Sequence, residues 1–464
     1  MTSYDKLEKR FERLLALREA AGVLHWDAST MMPEGSISAQ ARSEQLAALG
    51  TVCHEILASS EVADLLAEAE GLNELGPWQA ANLREMRHMW VHATAVTADL
   101  VEALTKASMA CETKWRSARS ESNYDGIKPL LAEVLKLVKE VAAAKSSALG
   151  CTPYEALMDE HTPGLRQGLV DPIFSNIEPF LPDFLAAVLD KQAAAAPPIL
   201  PQGPFPAAQQ RALGEQLMAQ LGFDFSQGRL DISLHPFSGG TPDDLRITTR
   251  YDEADFTTGL MGILHETGHA LYEKNLPQDW RRQPVGEARG MDVHESQSLL
   301  IEMQACRSKE FLTYAAPLMK QAFGADGPAW DVDNLYRIYT TVAPGLIRVD
   351  ADEVTYPAHV ILRYNIERAL INEEMTLDDL PAAWNEAMQR LLGLTPPDHA
   401  TGCMQDIHWF DGAWGYFPSY SLGAMTGAQI FAAARKADAN ILPAISEGDF
   451  APLYAWLGEH IHGL

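Results

Sequence analysis

The chain has 464 residues, 47% of them hydrophobic, enough apolar material for a large core that needs no covalent staples. Its 36 Lys and Arg stand against 63 Asp and Glu, a formal net charge of −27, which repels phosphate backbones and anionic lipid surfaces and argues against nucleic-acid or membrane partners. The five cysteines, Cys53, Cys111, Cys151, Cys306 and Cys403, are odd in number and never spaced as a CxxC pair, so they read as buried thiols in a reducing compartment, the cytoplasm.

The first 17 residues mix both charge signs at helical spacing and lack the apolar core of a secretory signal. Nowhere does an uncharged apolar run reach the about 18–20 residues needed to cross a bilayer. From the start to about Leu149 the apolar residues recur at helical spacing, as in Leu130, Leu131, Val134, Leu135 and Val138. Met31-Met32-Pro33-Glu34-Gly35 predicts a turn after the first helix, and Cys151-Thr152-Pro153 opens a further segment. Residues 193–206, with an Ala run and several prolines, are the best linker candidate, but the expectation is one body over residues 1–464, with a helical N-terminal part of about 1–200 and a second part of about 207–464. Between Arg229 and Tyr251, alternating Leu230, Ile232 and Leu234 and the β-branched Ile247, Thr248 and Thr249 flank Ser238-Gly239-Gly240 and predict a hairpin. Helical pattern resumes at Asp255, a cap for Phe256, Leu260, Ile263 and Leu264, and dominates to the C-terminus.

That helix carries the chemistry. Residues 262–273 read GILHETGHALYE, which contains His-Glu-x-x-His. Four residues are a little over one turn, so His265 and His269 share a face and can present two imidazole nitrogens to one tetrahedral ion. Glu266 sits beside that face, placed to take a proton from the attacking water. With 14 His and 63 acids in 464 residues, composition alone predicts roughly 0.06 occurrences of His-acid-x-x-His, so an incidental surface pair is the poorer reading. His88 and His92 are also four apart, but no acid follows His88 and no third ligand suggests itself nearby; that pair reads as an ordinary helix face.

A catalytic zinc usually takes three protein ligands and keeps a position open for water. Tyr272 and Asn275 occupy the positions where a further His would extend the motif to HExxHxxGxxH, which excludes that clan. After a turn at residues 286–290, a second helical pattern begins at Met291. Its antiparallel return would bring Glu295 beside the His pair, giving a His, His, Glu site of the thermolysin kind. His294 is the rival ligand, and Glu302 is a more distant alternative.

At this point the residues resemble the carboxypeptidase Taq family of metallocarboxypeptidases. The match runs in order through His235-Pro236-Phe237, Asp244-Leu245-Arg246-Ile247-Thr248, the His265 to His269 motif, His294-Glu295-Ser296-Gln297, Ile347-Arg348-Val349-Asp350-Ala351-Asp352, and Gly402-Cys403-Met404-Gln405-Asp406-Ile407-His408-Trp409. Trp26-Asp27 with Met32-Pro33, residues 153–157 and residues 415–420 also look familial. The resemblance implies a mainly α, neurolysin/ACE-like fold: a helical body cut by a deep substrate groove, with a small β-sheet at the groove edge, usually as a homodimer. It also implies removal of single C-terminal amino acids from peptides with broad specificity, with one Zn2+ per chain and Co2+ as an alternative ion.

A carboxypeptidase must hold the free carboxylate of its substrate, and the planar guanidinium fork suits that task. Arg348 leads, with Arg246 as an alternative that could instead brace the site through Asp244. The oxyanion formed on attack needs a donor besides the metal, for which Tyr420 or His408 would serve, and Tyr416 less well; all three could equally be packing in the groove wall. His235 either faces substrate or is structural, and Gln405 and Asp406 either bind the peptide backbone or orient a metal ligand. Two competing readings are an endo-acting oligopeptidase using the same metal, and a non-catalytic peptide-binding scaffold, against which the intact Glu266 argues.

Overall fold

The computed structural model describes residues 1–33, 36–233 and 236–464, with Ser36 described by its backbone alone. The architecture is mainly α with one small sheet. The first helix, Ser3–Thr30, starts on a capping box in which Thr2 and Asp5 satisfy each other's backbone N–H. It buries Tyr4, Leu7, Phe11 and Leu14 against Leu65, Leu66, Leu83 and Met86 of the next helices. The turn expected at residues 31–35 lies partly outside the described residues.

Two larger cores hold the rest. In one, helices from the first half of the chain (Tyr124–Leu149 and Gln167–Ala193) pack with helices from the second half (Tyr356–Ile371 and Leu380–Leu392) around Tyr154, Tyr364, Trp384, Trp409 and Phe417. The other gathers Phe205, Phe256, Leu260, Phe311, Trp330 and Phe431. Residues 194–206, the linker candidate, dock onto this second core. Ile199 exchanges hydrogen bonds of 2.9 and 2.8 Å with the Asn334 amide, and the Phe205 ring stands edge-on to Phe256, Phe323 and Trp330.

The hairpin expectation is half right. Strands β1 (Gly228–Ile232), β2 (Ser238–Thr241) and β3 (Asp244–Thr249) form a sheet in the order β1-β3-β2. Only β2 and β3 make an antiparallel hairpin, closed over Pro242 and Asp243, while β1 lies parallel to β3. Gly240 sits at φ +87°, and a Cβ there would fall 2.1 Å from the Asp244 carbonyl oxygen, so no other residue fits that corner. Leu245 and Ile247 of β3 face Ile263 and Ala270 of the motif helix, whereas Arg246 points the other way, stacking over Trp26 of the first helix at 4.4 Å. Leu234 lies outside the described residues.

All five cysteines are free. Cys111, Cys306 and Cys403 are buried, but Cys53 and Cys151 are only partly so, which corrects the expectation that every thiol lies inside. No described helix is long and apolar enough to cross a membrane.

Candidate active site

The motif helix, Phe256–Lys274, begins where the Asp255 carboxylate accepts the Thr257 N–H at 2.9 Å. Its apolar face (Phe256, Leu260, Leu264 and Leu271) enters the second core, which turns His265 and His269 to the opposite side with ring centroids 5.0 Å apart. After the short turn at Pro284–Gly286 the chain returns as helix Met291–Leu299. Glycines let three helices come close here. A Cβ on Gly268 would meet the Gln297 carbonyl oxygen at 2.7 Å, and Cβ atoms on Gly423 and Gly427 of helix Phe417–Ala437 would meet the Glu295 Cβ at 2.8 Å and the Ser296 carbonyl oxygen at 2.7 Å. Glu295 is thereby clamped beside the two imidazoles.

The Glu295 Oε2 lies 3.3 Å from His269 Nε2 and 3.9 Å from His265 Nε2, and the three donor atoms all fall within 4.8 Å of one another. Tetrahedral ligands bound at about 2.0–2.1 Å stand about 3.3 Å apart, so two nitrogens and a carboxylate oxygen here fit a divalent cation with little adjustment. The rivals stand behind the rings. His265 Nδ1 donates to Glu302 Oε2 at 2.9 Å, and Arg307 pairs with the other Glu302 oxygen. With His269 Nε2 turned to the pocket, its Nδ1–H donates to His294 Nδ1 at 2.6 Å, and His294 Nε2–H donates to Glu273 at 2.8 Å. Both arrangements fix the tautomer and tilt of a candidate ligand. The spacing from Glu295 to Glu302 was legible as two helical turns. The π-helical stretch Leu300–Ala305, which widens the turn under Glu302, was not.

Charged groups are crowded and buried here. Burial opposes charging of His265, but Glu295, Glu302 and Glu266 outweigh it and lift its pKa to about 10. Burial likewise disfavours the Glu295 carboxylate, yet His265 and His269 hold it down at about 2. His269 is depressed to about 4, by burial first and with the neighbouring imidazoles adding to it against the pull of Glu295, and so is neutral and ready to ligate near pH 7. Glu266 is raised to about 7, by burial first and then by Glu295 and Glu302, with His265 opposing. A carboxylate poised there suits a base that must also return its proton.

The remaining candidates form one wall of loop and helix. Arg348 is buried, and its Nε and Nη2 donate to Asp406 at 3.1 and 2.9 Å. Its guanidinium lies 4.6 Å over the Tyr420 ring. Arg363, unforeseen from the sequence, shares Asp406 at 2.5 Å. His408 Nε2 is 3.4 Å from the Tyr420 hydroxyl, and Tyr416 packs edge-on to Tyr420 at 5.0 Å. Burial and Arg348 depress His408 to about 3, so it is a neutral imidazole. Burial, opposed by Arg348 and reinforced by Glu295, lifts Tyr420 to about 12. Tyr356, also missed, touches the Tyr420 ring edge-on at 6.2 Å.

Gln405 corrects a sequence expectation. Its Oε1 accepts from the Arg348 N–H and from Arg363 Nη2, both at 2.9 Å, and its Nε2 donates to the carbonyls of Leu346 and Thr401 at 2.8 and 2.9 Å. An amide has four such bonds to make, so Gln405 is saturated by the loop it holds and has nothing left for a peptide. Arg246 donates to both Asp244 oxygens and stacks on Trp26, the bracing alternative. His235 lies outside the described residues.

The chain resembles known proteins along nearly its whole length. The family model for carboxypeptidase Taq (M32) metallopeptidase matches residues 6–464. The chain is 36% identical to thermostable carboxypeptidase 1 of Thermus thermophilus, over 97% of this chain and 90% of that protein. It is 33% identical to carboxypeptidase 1 of Bacillus subtilis, over 98% and 92%. Among solved structures, metallocarboxypeptidase 1 of Trypanosoma cruzi superposes with a TM-score of 0.96 at 40% identity, covering 99% of this chain and 92% of that one. A carboxypeptidase of Pyrococcus furiosus gives 0.93 at 30%, covering 100% and 93%. With the match running nearly end to end and the histidine pair and its carboxylate already in place, the chain belongs to the carboxypeptidase Taq (M32) family and is a metal-dependent carboxypeptidase.

Proposed function

We propose that His265, His269 and Glu295 hold one Zn2+ per chain, with Co2+ able to replace it, and that Glu266 is the general base of a broad-specificity exopeptidase acting on peptides in the cytoplasm. The observation that carries this reading is the convergence of three donor atoms within 4.8 Å beside a buried Glu266. A bound divalent cation supplies Lewis acidity to the scissile carbonyl and to the attacking water. Glu266 takes the water's proton and delivers it to the leaving amine, which its pKa near neutrality favours in both directions. Tyr420 donates its hydroxyl hydrogen to the developing oxyanion, with the neutral His408 behind it and Tyr416 packed alongside.

Arg348 is the anchor for the substrate's terminal carboxylate. Asp406 occupies one edge of its fork, so the anchor works as a fixed, always-charged group held over Tyr420. Arg246, neutralised by Asp244, is the weaker alternative. The free cysteines support a reducing compartment. Leu169, Phe180 and Phe184, left exposed on helix Gln167–Ala193, support pairing of two copies of a single body spanning residues 1–464.

The test is mass spectrometry of paired peptides with free and amidated C-termini. A ladder losing one residue at a time from the free peptides, and none from the amidated ones, is expected; internal cuts in both would favour an endopeptidase. Glu266→Gln is expected to keep stoichiometric metal by elemental analysis while losing about 10²–10⁴-fold in turnover. Chelation is expected to abolish turnover, and added Zn2+ or Co2+ to restore it.

A further inference from the structure

The chain contains a second pair of histidines one helical turn apart. His88 and His92, on helix Pro77–Thr94, read in sequence as an ordinary face without a third ligand, and the fold overturns that reading. Helix Pro153–His161 brings Asp159 across to them. Both ring nitrogens aim at a single oxygen: His88 Nε2 is 2.5 Å and His92 Nε2 3.0 Å from Asp159 Oδ2.

The carboxylate is built as a fixed group rather than a chance neighbour. Its other oxygen, Oδ1, accepts the Gly164 backbone N–H at 2.9 Å and Arg166 Nη1 at 2.7 Å. Asp159 is 2% exposed as a side chain, whereas His88 is 25% exposed and so open to solvent. Apart from the catalytic triad, this is the one cluster among the described residues where three donor atoms of His, Cys, Asp or Glu lie within 4.8 Å. The sequence spacing and the carboxylate reaching in from another helix repeat the pattern of the catalytic centre, whereas the outer partners here hold the carboxylate and not the rings.

We propose that His88, His92 and Asp159 form a second site for a first-row divalent cation such as Zn2+, distinct from the catalytic one. Two imidazole nitrogens and one carboxylate oxygen are a ligand set suited to Zn2+, with water from the solvent side of His88 completing the tetrahedron. Neighbouring ligands of such an ion stand about 3.3 Å apart, so the cluster opens by about half an ångström on binding, which the partly exposed His88 allows. Each ring then keeps its hydrogen on Nδ1. His92 Nδ1 is buried without a protein partner among the described residues, and His92 also lines a cavity of about 550 Å3 with Lys145, Glu160 and His161. Arg166 withdraws charge from Asp159, so this site is weaker than the catalytic site and fills second. Its effect is to tie helix Pro77–Thr94, which carries Leu83 and Met86 of the N-terminal core, to helix Pro153–His161 of the main core.

The test is equilibrium dialysis of the whole chain against a Zn2+ series, with bound metal counted by elemental mass spectrometry and melting followed in parallel. The wild type is expected to take up two ions per chain, with the second step raising the melting temperature. His88→Gln and His92→Gln are expected to stop at one ion, lose the second melting shift, and keep peptide turnover within about twofold. His269→Gln is expected to retain one ion, which the added His88→Gln removes. Saturation of the wild type at one ion, or a second ion that survives His88→Gln, would overturn the proposal. Because His88 is partly exposed, that variant keeps the test decisive even if His92→Gln folds poorly.

Discussion

Glu302 and His294 show how much of a metal centre lies in the residues that do not ligate. Each takes the Nδ1 of a candidate ligand, at 2.9 and 2.6 Å, leaving Nε2 facing the pocket. Glu302→Gln keeps an acceptor for His265 but removes the negative charge and the partner of Arg307, and is expected to weaken metal binding about 10–100-fold in a chelator competition while the fold persists. As the proposed general base, Glu266 would set the pH dependence. It must be deprotonated to act, and the metal-free fold raises it from 4.5 to about 7; a bound cation pulls it back down. The acid limb of kcat/KM is therefore expected between those two values, with activity lost as pH falls through it. The residual rate of Glu266→Gln should lack that limb; its persistence would assign the ionisation to another group. His265 and His269 were legible in the sequence because helical spacing puts them on one face, and Glu266 because it follows His265 beside that face in the His-Glu-x-x-His motif. Whether His294 or Glu295 faced the pocket was not, since neighbouring residues on a helix differ by about 100° and only the packing of that helix decides which one turns inward.

Between helices, the controlling feature is how closely Phe417–Ala437 approaches Met291–Leu299. Gly423 lies against the Glu295 side chain, where an added Cβ would sit 2.8 Å from the Glu295 Cβ and 3.0 Å from the Asp292 carbonyl oxygen. Backbone cannot give way as a side-chain tip does, so Gly423→Ala must push the two helices apart. It is expected to cost about 1–3 kcal/mol of stability, seen as a lower melting temperature of the metal-free chain. It is also expected to lower metal affinity, because Glu295 moves with its helix. A variant that melts lower yet binds metal as tightly as the wild type would show that Glu295 adjusts independently. The elements themselves were mostly visible in the sequence: Asp255 as a cap and the periodicity of 256–274 define the motif helix, and Thr152-Pro153 opens the helix that carries Asp159. The sheet was half visible. Alternation in 228–232 marks a strand but says nothing of its direction, and the parallel pairing of β1 with β3 depends on β2 first folding back antiparallel to β3.

Over the whole molecule the fold was legible through motif order more than through periodicity, since any long helical pattern fits many packings. The net charge of −27 is a whole-molecule quantity with a consequence of its own. The substrate's terminal carboxylate must reach the site against a negative long-range field, although the anchor proposed for it, Arg348, held beside Tyr420, is cationic. Salt separates the two regimes. The screening length is about 30 Å at 0.01 M and about 8 Å at 0.15 M, so added salt removes the distant repulsion while leaving contacts of 3–5 Å nearly intact. For peptides sharing their last two residues, kcat/KM of one rich in Asp and Glu is therefore expected to rise with salt over that range, on the order of tenfold. One rich in Lys and Arg is expected to fall, and a neutral one to change little. Stopped-flow or initial-rate measurements at low substrate report kcat/KM directly. Because screening acts on encounter, kcat at saturation should stay constant for all three. An equal salt response of the three peptides would mean that the ions act on the contacts around Arg348, and not on the field of the molecule.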